Sequence, residues 1–448
     1  MLRTSILIFV IVLTAQVSSA QTTFTVIVKD EVTKAAIAGA NVSVKDQAIT
    51  ATTNTQGAVQ LSNIAAGEQT IVIFSPGYET KELKLTFPLV DQLETVVFLK
   101  VNNEVGEVTV VSTRTGREID DVPTRVEAID EEEVDEKTNM RPANVSMVLN
   151  ESTGIKVQQT SATSNTQSVR IQGLDGRYTQ LLKDGFPAFG GFSGSISLLD
   201  ILPLDLKQVE IIKGPSATFY GGGAIAGVIN FISKEPEDSP ITSIILNQTT
   251  ALGTDFSIFN ARNFERVGYT FLGSINYQNE YDVDDDDFTE LPNTKAFTLS
   301  PRFFFYPDDK TRVIIGNTTS YQNRKGGDVF VIRGHGDNFH QYFENNNSLR
   351  NITTLQFDRQ FADGSRVVAK QSFAFFNRKI EIPDYVFDGR QFNSSTDLSY
   401  LRTLNEHVLV VGFNAVYDQF RETPNSNTPV PRDETRTTFG GYVQDSFT

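Results

Sequence analysis

From Val267 to Tyr277 the chain carries apolar residues at most odd positions and small or polar residues at most even ones. Successive side chains of a strand point to opposite faces, so this period of two predicts a strand with one apolar and one polar face. The same texture predicts ten strands in the C-terminal half, at residues 241–250, 255–263, 266–280, 296–306, 311–323, 348–361, 365–379, 392–403, 407–421 and 435–448. Most are as long as the roughly 9–11 residues that a tilted strand needs to cross a bilayer. Pro307-Asp308-Asp309-Lys310, Ala362-Asp363-Gly364 and Leu404-Asn405-Glu406 read as tight turns, whereas the segments near residues 281–295, 324–347, 380–391 and 422–434 read as long polar loops. Short turns on one side, long loops on the other and alternating faces predict a transmembrane β-barrel with its apolar side outward. A soluble sandwich shares the alternation but not the loop asymmetry. The 13 Tyr and 33 Phe supply material for aromatic girdles, although Trp is absent.

Two other textures precede this region. Residues 22–100 hold short β-branched runs, among them Thr25-Val26-Ile27-Val28, Ala40-Asn41-Val42-Ser43-Val44 and Thr70-Ile71-Val72-Ile73, punctuated by Gly57, Gly67 and Pro76-Gly77. They predict a small β-sandwich. Residues 118–234 mix an acidic amphipathic segment, Ile129 to Asn139, and a short helix near Asn144 to Leu149 with several apolar strands. At the start, Arg3, the apolar run Ile6 to Leu13 and Ser18-Ser19-Ala20 form the three parts of a secretory signal, so the mature chain is expected to begin near Gln21. No stretch reaches the roughly 18 consecutive apolar residues of a membrane-spanning helix.

Composition closes several routes. With 39 Lys+Arg against 55 Asp+Glu the formal charge is -16 and no basic run stands out, which excludes a nucleic-acid partner. Absence of Cys removes disulfides, zinc–thiolate sites and thiol nucleophiles. His335, His340 and His407 are the only histidines; none has a His-x-x-Glu zinc spacing or stands near a nucleophile elbow, so no catalytic residue, resident metal or cofactor is assigned. The glycines Gly221, Gly222, Gly223 and Gly227 are not followed by the Lys-Ser/Thr of a phosphate loop. His335 and His340 flank Asp337 in a long loop and are candidate ligands for a metal chelate. The run Asp282 to Asp287 lacks the Gly and closing Glu of an EF-hand loop and reads as hydrated charge.

Three stretches carry a family resemblance. Val28-Lys29-Asp30, Ile37-Ala38-Gly39-Ala40-Asn41-Val42, Thr53-Asn54-Thr55-Gln56-Gly57 and Ser75-Pro76-Gly77-Tyr78 resemble a carboxypeptidase regulatory-like domain. Glu104 to Thr113 resembles a TonB box. Val169-Arg170-Ile171-Gln172-Gly173-Leu174, Lys183-Asp184-Gly185-Phe186-Pro187 and the run from Val209 to Ile232 resemble the plug of TonB-dependent receptors over about 120 residues. The chain departs from that family at Gln172, where Arg usually precedes the first glycine. Arg170 lies two residues earlier, on the same face of the strand.

The resemblance implies a mainly β fold: signal peptide (1–20), regulatory-like β-sandwich (21–101), TonB box and linker (102–116), α+β plug (117–236) and the first ten or so strands of a 22-stranded transmembrane β-barrel (237–448). Ten strands are too few to enclose such a plug, because diameter grows with strand number, so about a dozen more are expected beyond Thr448. The implied function is energised import across the outer membrane of a Gram-negative bacterium, with TonB and its inner-membrane complex, outer-membrane lipid and a small ligand as partners. The ligand class is a ferric siderophore, cobalamin or another metal chelate. Glu107, Val108, Thr109, Val110, Val111 and Ser112 are the expected TonB contacts, since an extended β-branched peptide suits pairing with another protein's sheet. Arg170, Gln172, Glu210 and Lys213 are expected to dock the plug, paired with one another or with the barrel wall. Phe186, Phe189, Phe192 and Ser193, with His335 and His340, are the ligand candidates. The competing reading is an adhesin or structural barrel that transports nothing.

Overall fold

The computed structural model describes residues 24–447, apart from residues 32–33, 46, 48, 76–77, 79, 90–93, 100–108, 111–116, 119–125, 151, 188–200, 216–223, 405–406 and 429. The expected signal peptide and most of the expected TonB box therefore lie outside the described residues. The chain divides into two units, residues 1–107 and 108–448.

Among the described residues the first unit has seven strands: β1 (Phe24–Asp30), β2 (Asn41–Val44), β3 (Thr50–Thr52), β4 (Ala58–Leu61), β5 (Gly67–Phe74), β6 (Lys81–Phe87) and β7 (Glu94–Leu99). One sheet runs β4-β1-β7 and the other β3-β2-β5-β6. Among the described residues β1 and β7 pair in parallel and the other pairs are antiparallel. Alternate residues of β1 turn inward, and Phe24, Val26 and Val28 join Val42, Ile71, Ile73, Leu61 and Leu99 in one core. Each such side chain contributes about 1.5–3 kcal/mol when fully buried.

In the second unit, β8 (Thr109–Val110) pairs with β9 (Arg117–Glu118), and β10 (Val126–Ile129) leads into helix α1 (Glu131–Met140). Asp130 caps α1 by accepting the Glu133 N–H at 3.0 Å, and three glutamates fill the first turn, where the helix dipole favours negative charge. After α2 (Ser146–Asn150) come β11 (Ile155–Gln159), β12 (Gln167–Ile171), β13 (Thr179–Lys183), β14 (Phe186–Pro187), β15 (Leu206–Lys213) and β16 (Gly227–Ser233). β11 and β12 form a separate hairpin, and the other strands form a mixed sheet in the order β10-β15-β16-β13-β14. Ile129, Val134, Leu149, Ile171, Ile211 and Phe231 meet in its core. This is the α+β plug.

Ten antiparallel strands follow in sequence order: β17 (Ile241–Gln248), β18 (Gly253–Phe264), β19 (Val267–Gln278), β20 (Asn293–Asp308), β21 (Thr311–Gly327), β22 (Phe343–Gln360), β23 (Arg366–Ile382), β24 (Tyr385–Leu404), β25 (His407–Glu422) and β26 (Asp433–Phe447). The expected number of strands and their order are found. One loop is corrected: residues 380–391 are not a long loop, because β23 and β24 run on to a two-residue turn at Pro383-Asp384. The two faces invert the usual order of a soluble sheet. Leu246, Ile275, Phe303, Phe375 and Val443 stand exposed on one face. Ser257, Thr270, Ser274, Ser300, Arg302, Ser320, Arg350 and Ser372 are buried on the other, which the plug covers. Apolar side chains turned outward and hydroxyls turned inward are what a lipid solvent selects.

Candidate functional site: the seam between plug and wall

The expected coupling segment is described only at Thr109 and Val110, which form two ladder pairs, Thr109 with Glu118 and Val110 with Arg117. Glu107, Val108, Val111 and Ser112 lie outside the described residues.

The four residues expected to dock the plug are placed differently from one another. Lys213 is buried and bonds to the Glu127 carboxylate and the Thr153 carbonyl. Glu210 is fully buried and accepts from Asn230 Nδ2 at 3.3 Å and Gln208 Nε2 at 2.8 Å. Arg170 makes a long bond, 3.4 Å, to the Gly173 carbonyl. Gln172 is exposed with φ +52° at the end of the β11–β12 hairpin. These partners of Lys213, Glu210 and Arg170 lie within the plug.

A different set of residues joins plug to wall. The Asp184-Gly185 turn between β13 and β14 reaches β20 and β23: Arg302 Nη2 lies 3.5 Å from Asp184 Oδ2, and Lys370 Nζ donates to the Asp184 carbonyl at 2.8 Å. Asp184 also accepts from Ser233 N at 2.8 Å and Ser233 Oγ at 2.9 Å. Burial alone would push its carboxyl up, but Arg302, Lys183 and the Ser233 bonds outweigh this and hold it below the ordinary carboxylate range. At the end of β13, directly before Asp184, Lys183 pairs with buried Asp205 at 2.7 Å. At the far end of the plug, Ser161 donates to Glu344 at 2.9 Å, and Arg324 reaches the carbonyls of Ser164 and Asn165. Where the plug chain leaves for the wall, Glu235 pairs with Arg312 at 2.6 Å. The sequence marks Asp184-Gly185 only as a motif. Its wall partners Arg302 and Lys370 sit on inward strand positions that look like any other polar position.

A cavity opens along this seam between Phe186, Pro187 and Leu202 of the plug and Thr298, Arg302 and Arg350 of the wall. Phe186 is thus buried on the seam, while Phe189, Phe192 and Ser193 lie outside the described residues. His340 Nδ1 bonds to Asp328 Oδ2 at 2.7 Å and its ring packs 4.4 Å from Phe330, in the loop that carries helix α3 (Val329–Ile332). His335 is exposed in the same loop. Among the described residues the one metal-sized carboxylate cluster is Asp282, Asp284 and Glu290, and it includes neither histidine.

The profile of the TonB-dependent Receptor Plug Domain matches residues 118–228, and that of the CarboxypepD_reg-like domain matches residues 27–111. The chain is 28% identical to the vitamin B12 transporter of Vibrio vulnificus over 181 residues, 40% of this chain and 29% of that protein. It is 24% identical to the ferrichrome outer membrane transporter/phage receptor of Escherichia coli over 208 residues, 44% and 26% of the two chains. A solved structure of the Pseudomonas aeruginosa receptor FpvA bound to heterologous pyoverdines superposes with a TM-score of 0.60 at 15% identity, covering 73% of this chain and 50% of that one, a likeness of fold. By its matched domains the chain carries the plug of the TonB-dependent receptors and its fold is like theirs; the ferrichrome relative is named as an outer membrane transporter. It carries a regulatory-like domain ahead of its plug and spans about half the length of the solved relative.

Proposed function

We propose that the protein takes part in energised import of a scarce small ligand, a ferric siderophore or cobalamin, with TonB as its periplasmic partner. The observation that carries this reading is a folded plug seated by charged contacts on the inner face of a strand wall whose outer face is apolar. A plug seated by a handful of polar bonds and one small apolar cluster, Leu202 and Leu204 against Phe259, Ala261 and Leu272, can be moved without unfolding the wall. The curated relatives are named for vitamin B12 and ferrichrome, which sets the ligand class proposed here. Glu107, Val108, Thr109, Val110, Val111 and Ser112 are the proposed TonB contacts, and Phe186, Phe189, Phe192, Ser193, His335 and His340 the proposed ligand contacts. Arg170, Gln172, Glu210 and Lys213 are the proposed plug-docking residues. The domain limits proposed are 21–101, 102–116, 117–236 and 237–448.

Growth on limiting iron or cobalamin, with and without functional TonB, tests the reading. Val110→Pro removes a backbone donor from the coupling strand and is expected to abolish uptake while ligand binding persists. Unchanged uptake in Val110→Pro would exclude the segment as the coupling strand. Growth that depends on neither this protein nor TonB would favour an adhesin or structural barrel.

A further inference from the structure

We infer that the Asp184-Gly185 turn is a latch between plug and wall, and that helix α1 holds it shut through Lys234; the purpose assigned to it rests on the import reading. Every contact of the turn points to a clamp. The Asp184 carboxylate lies between Ser233 and Arg302, its carbonyl takes Lys370, and the Gly185 N–H donates to Asn230 Oδ1 at 3.0 Å. Gly185 has φ +77°, and a Cβ there would stand 2.5 Å from Lys370 Nζ, so glycine both makes the turn and admits the lysine.

The residue after Ser233 links this clamp to α1. Lys234 Nζ is buried between Glu131 at 3.1 Å and Asp135 at 3.0 Å, both on α1. Its backbone N–H donates to the Asp205 carbonyl at 2.7 Å, and its own carbonyl accepts a long bond, 3.5 Å, from Arg302, the same arginine that faces Asp184. Helix α1 follows β10 with Asp130 between them, and β9 stands between β10 and the coupling segment. Displacing α1 strips both carboxylates from a buried ammonium, which then favours solvent over its place in the plug. Movement of Lys234 withdraws the two Ser233 bonds from Asp184 and the carbonyl from Arg302. A pull on the segment before α1 thus loosens the far side of the plug without touching it.

These 448 residues hold no cysteine, so a Phe186→Cys substitution, made in full-length protein with any cysteine beyond Thr448 replaced by serine, reports on the seam by its maleimide labelling rate in outer-membrane vesicles. Asp184→Asn is expected to speed labelling about tenfold, and Glu131→Gln with Asp135→Asn to do the same, because local opening governs access to a buried thiol. Lys370→Met, which leaves the Asp184 carboxylate in place, is measured alongside in case Asp184→Asn fails to reach the membrane. Parental rates in the Asp184 and Lys370 variants would overturn the latch. A fast Asp184→Asn with a parental rate in the α1 variant would overturn control by α1. The assay needs neither ligand nor TonB, so a failed import reading shows instead as normal labelling without TonB-dependent uptake.

Discussion

Lys213 shows why pairing on the plug could not be read from residue types. Glu210 and Lys213 are three apart on β15, so they point to opposite faces of a strand buried on both sides, and Arg170 stands on another sheet altogether. Alternation placed each charge in the plug but left its partner open. The partner of Lys213 is Glu127, across the β10–β15 pair. Lys213→Met should cost about 1–3 kcal/mol by leaving Glu127 and the Thr153 carbonyl without their donor, a loss read as a lower denaturant midpoint for the plug. A second residue-scale test concerns His340. Its bond to Asp328 raises the imidazole pKa, more than slight desolvation lowers it. A raised folded-state value stabilises the loop fully below the unfolded value of about 6.5, and the gain fades as pH rises through the folded value. NMR titration of His340 should give a midpoint above that of free imidazole, and Asp328→Asn should bring it down.

At the level of elements, the strands were legible because lipid on one side and plug on the other impose a strict period of two. Legibility ended where that period ended. The upper parts of β23 and β24 carry Arg378, Lys379, Glu381, Asp388 and Arg390, polar residues on both faces that resemble a loop in sequence. Backbone pairing continues there regardless, up to Ile382 opposite Tyr385. The seam was half legible: Asp184-Gly185 stood out as a turn, but its contacts to Arg302 and Lys370 span more than a hundred residues of chain. Gly227 supplies the test at this scale. It has φ +155°, and a Cβ would approach the Ile212 carbonyl at 2.2 Å in the β15–β16 ladder. Gly227→Ala should split that ladder at a cost of about 1–3 kcal/mol and show as faster pulse proteolysis of the plug. Gly214→Ala meets no neighbour within 4 Å, so only its φ of +124° opposes it, and the smaller effect expected there separates crowding from backbone strain.

Across the whole molecule, the inverted sheet makes the outer face the sensitive one. Phe375 is 57% exposed, opposite Asn351 and Phe392 in the ladder. Phe375→Arg should cost about 2–4 kcal/mol if the site lies near the bilayer midplane, measured by refolding into vesicles and heat-modifiable gel mobility. The same alternation also bears on how such a chain reaches its membrane. Most inward residues of the strands are small or polar, mean hydropathy is -0.21, and among the described residues no helix is long and apolar enough to cross a bilayer. A sequence that ends up surrounded by lipid is thus nearly invisible to the machinery that retains greasy helices in the first membrane it meets. Its affinity for lipid exists only in the folded sheet, after the side chains have been sorted to two faces. Thr270 and Ser274 on the inner face of β19 therefore serve the journey as well as the fold, as ballast that keeps the strand from being mistaken for an anchor.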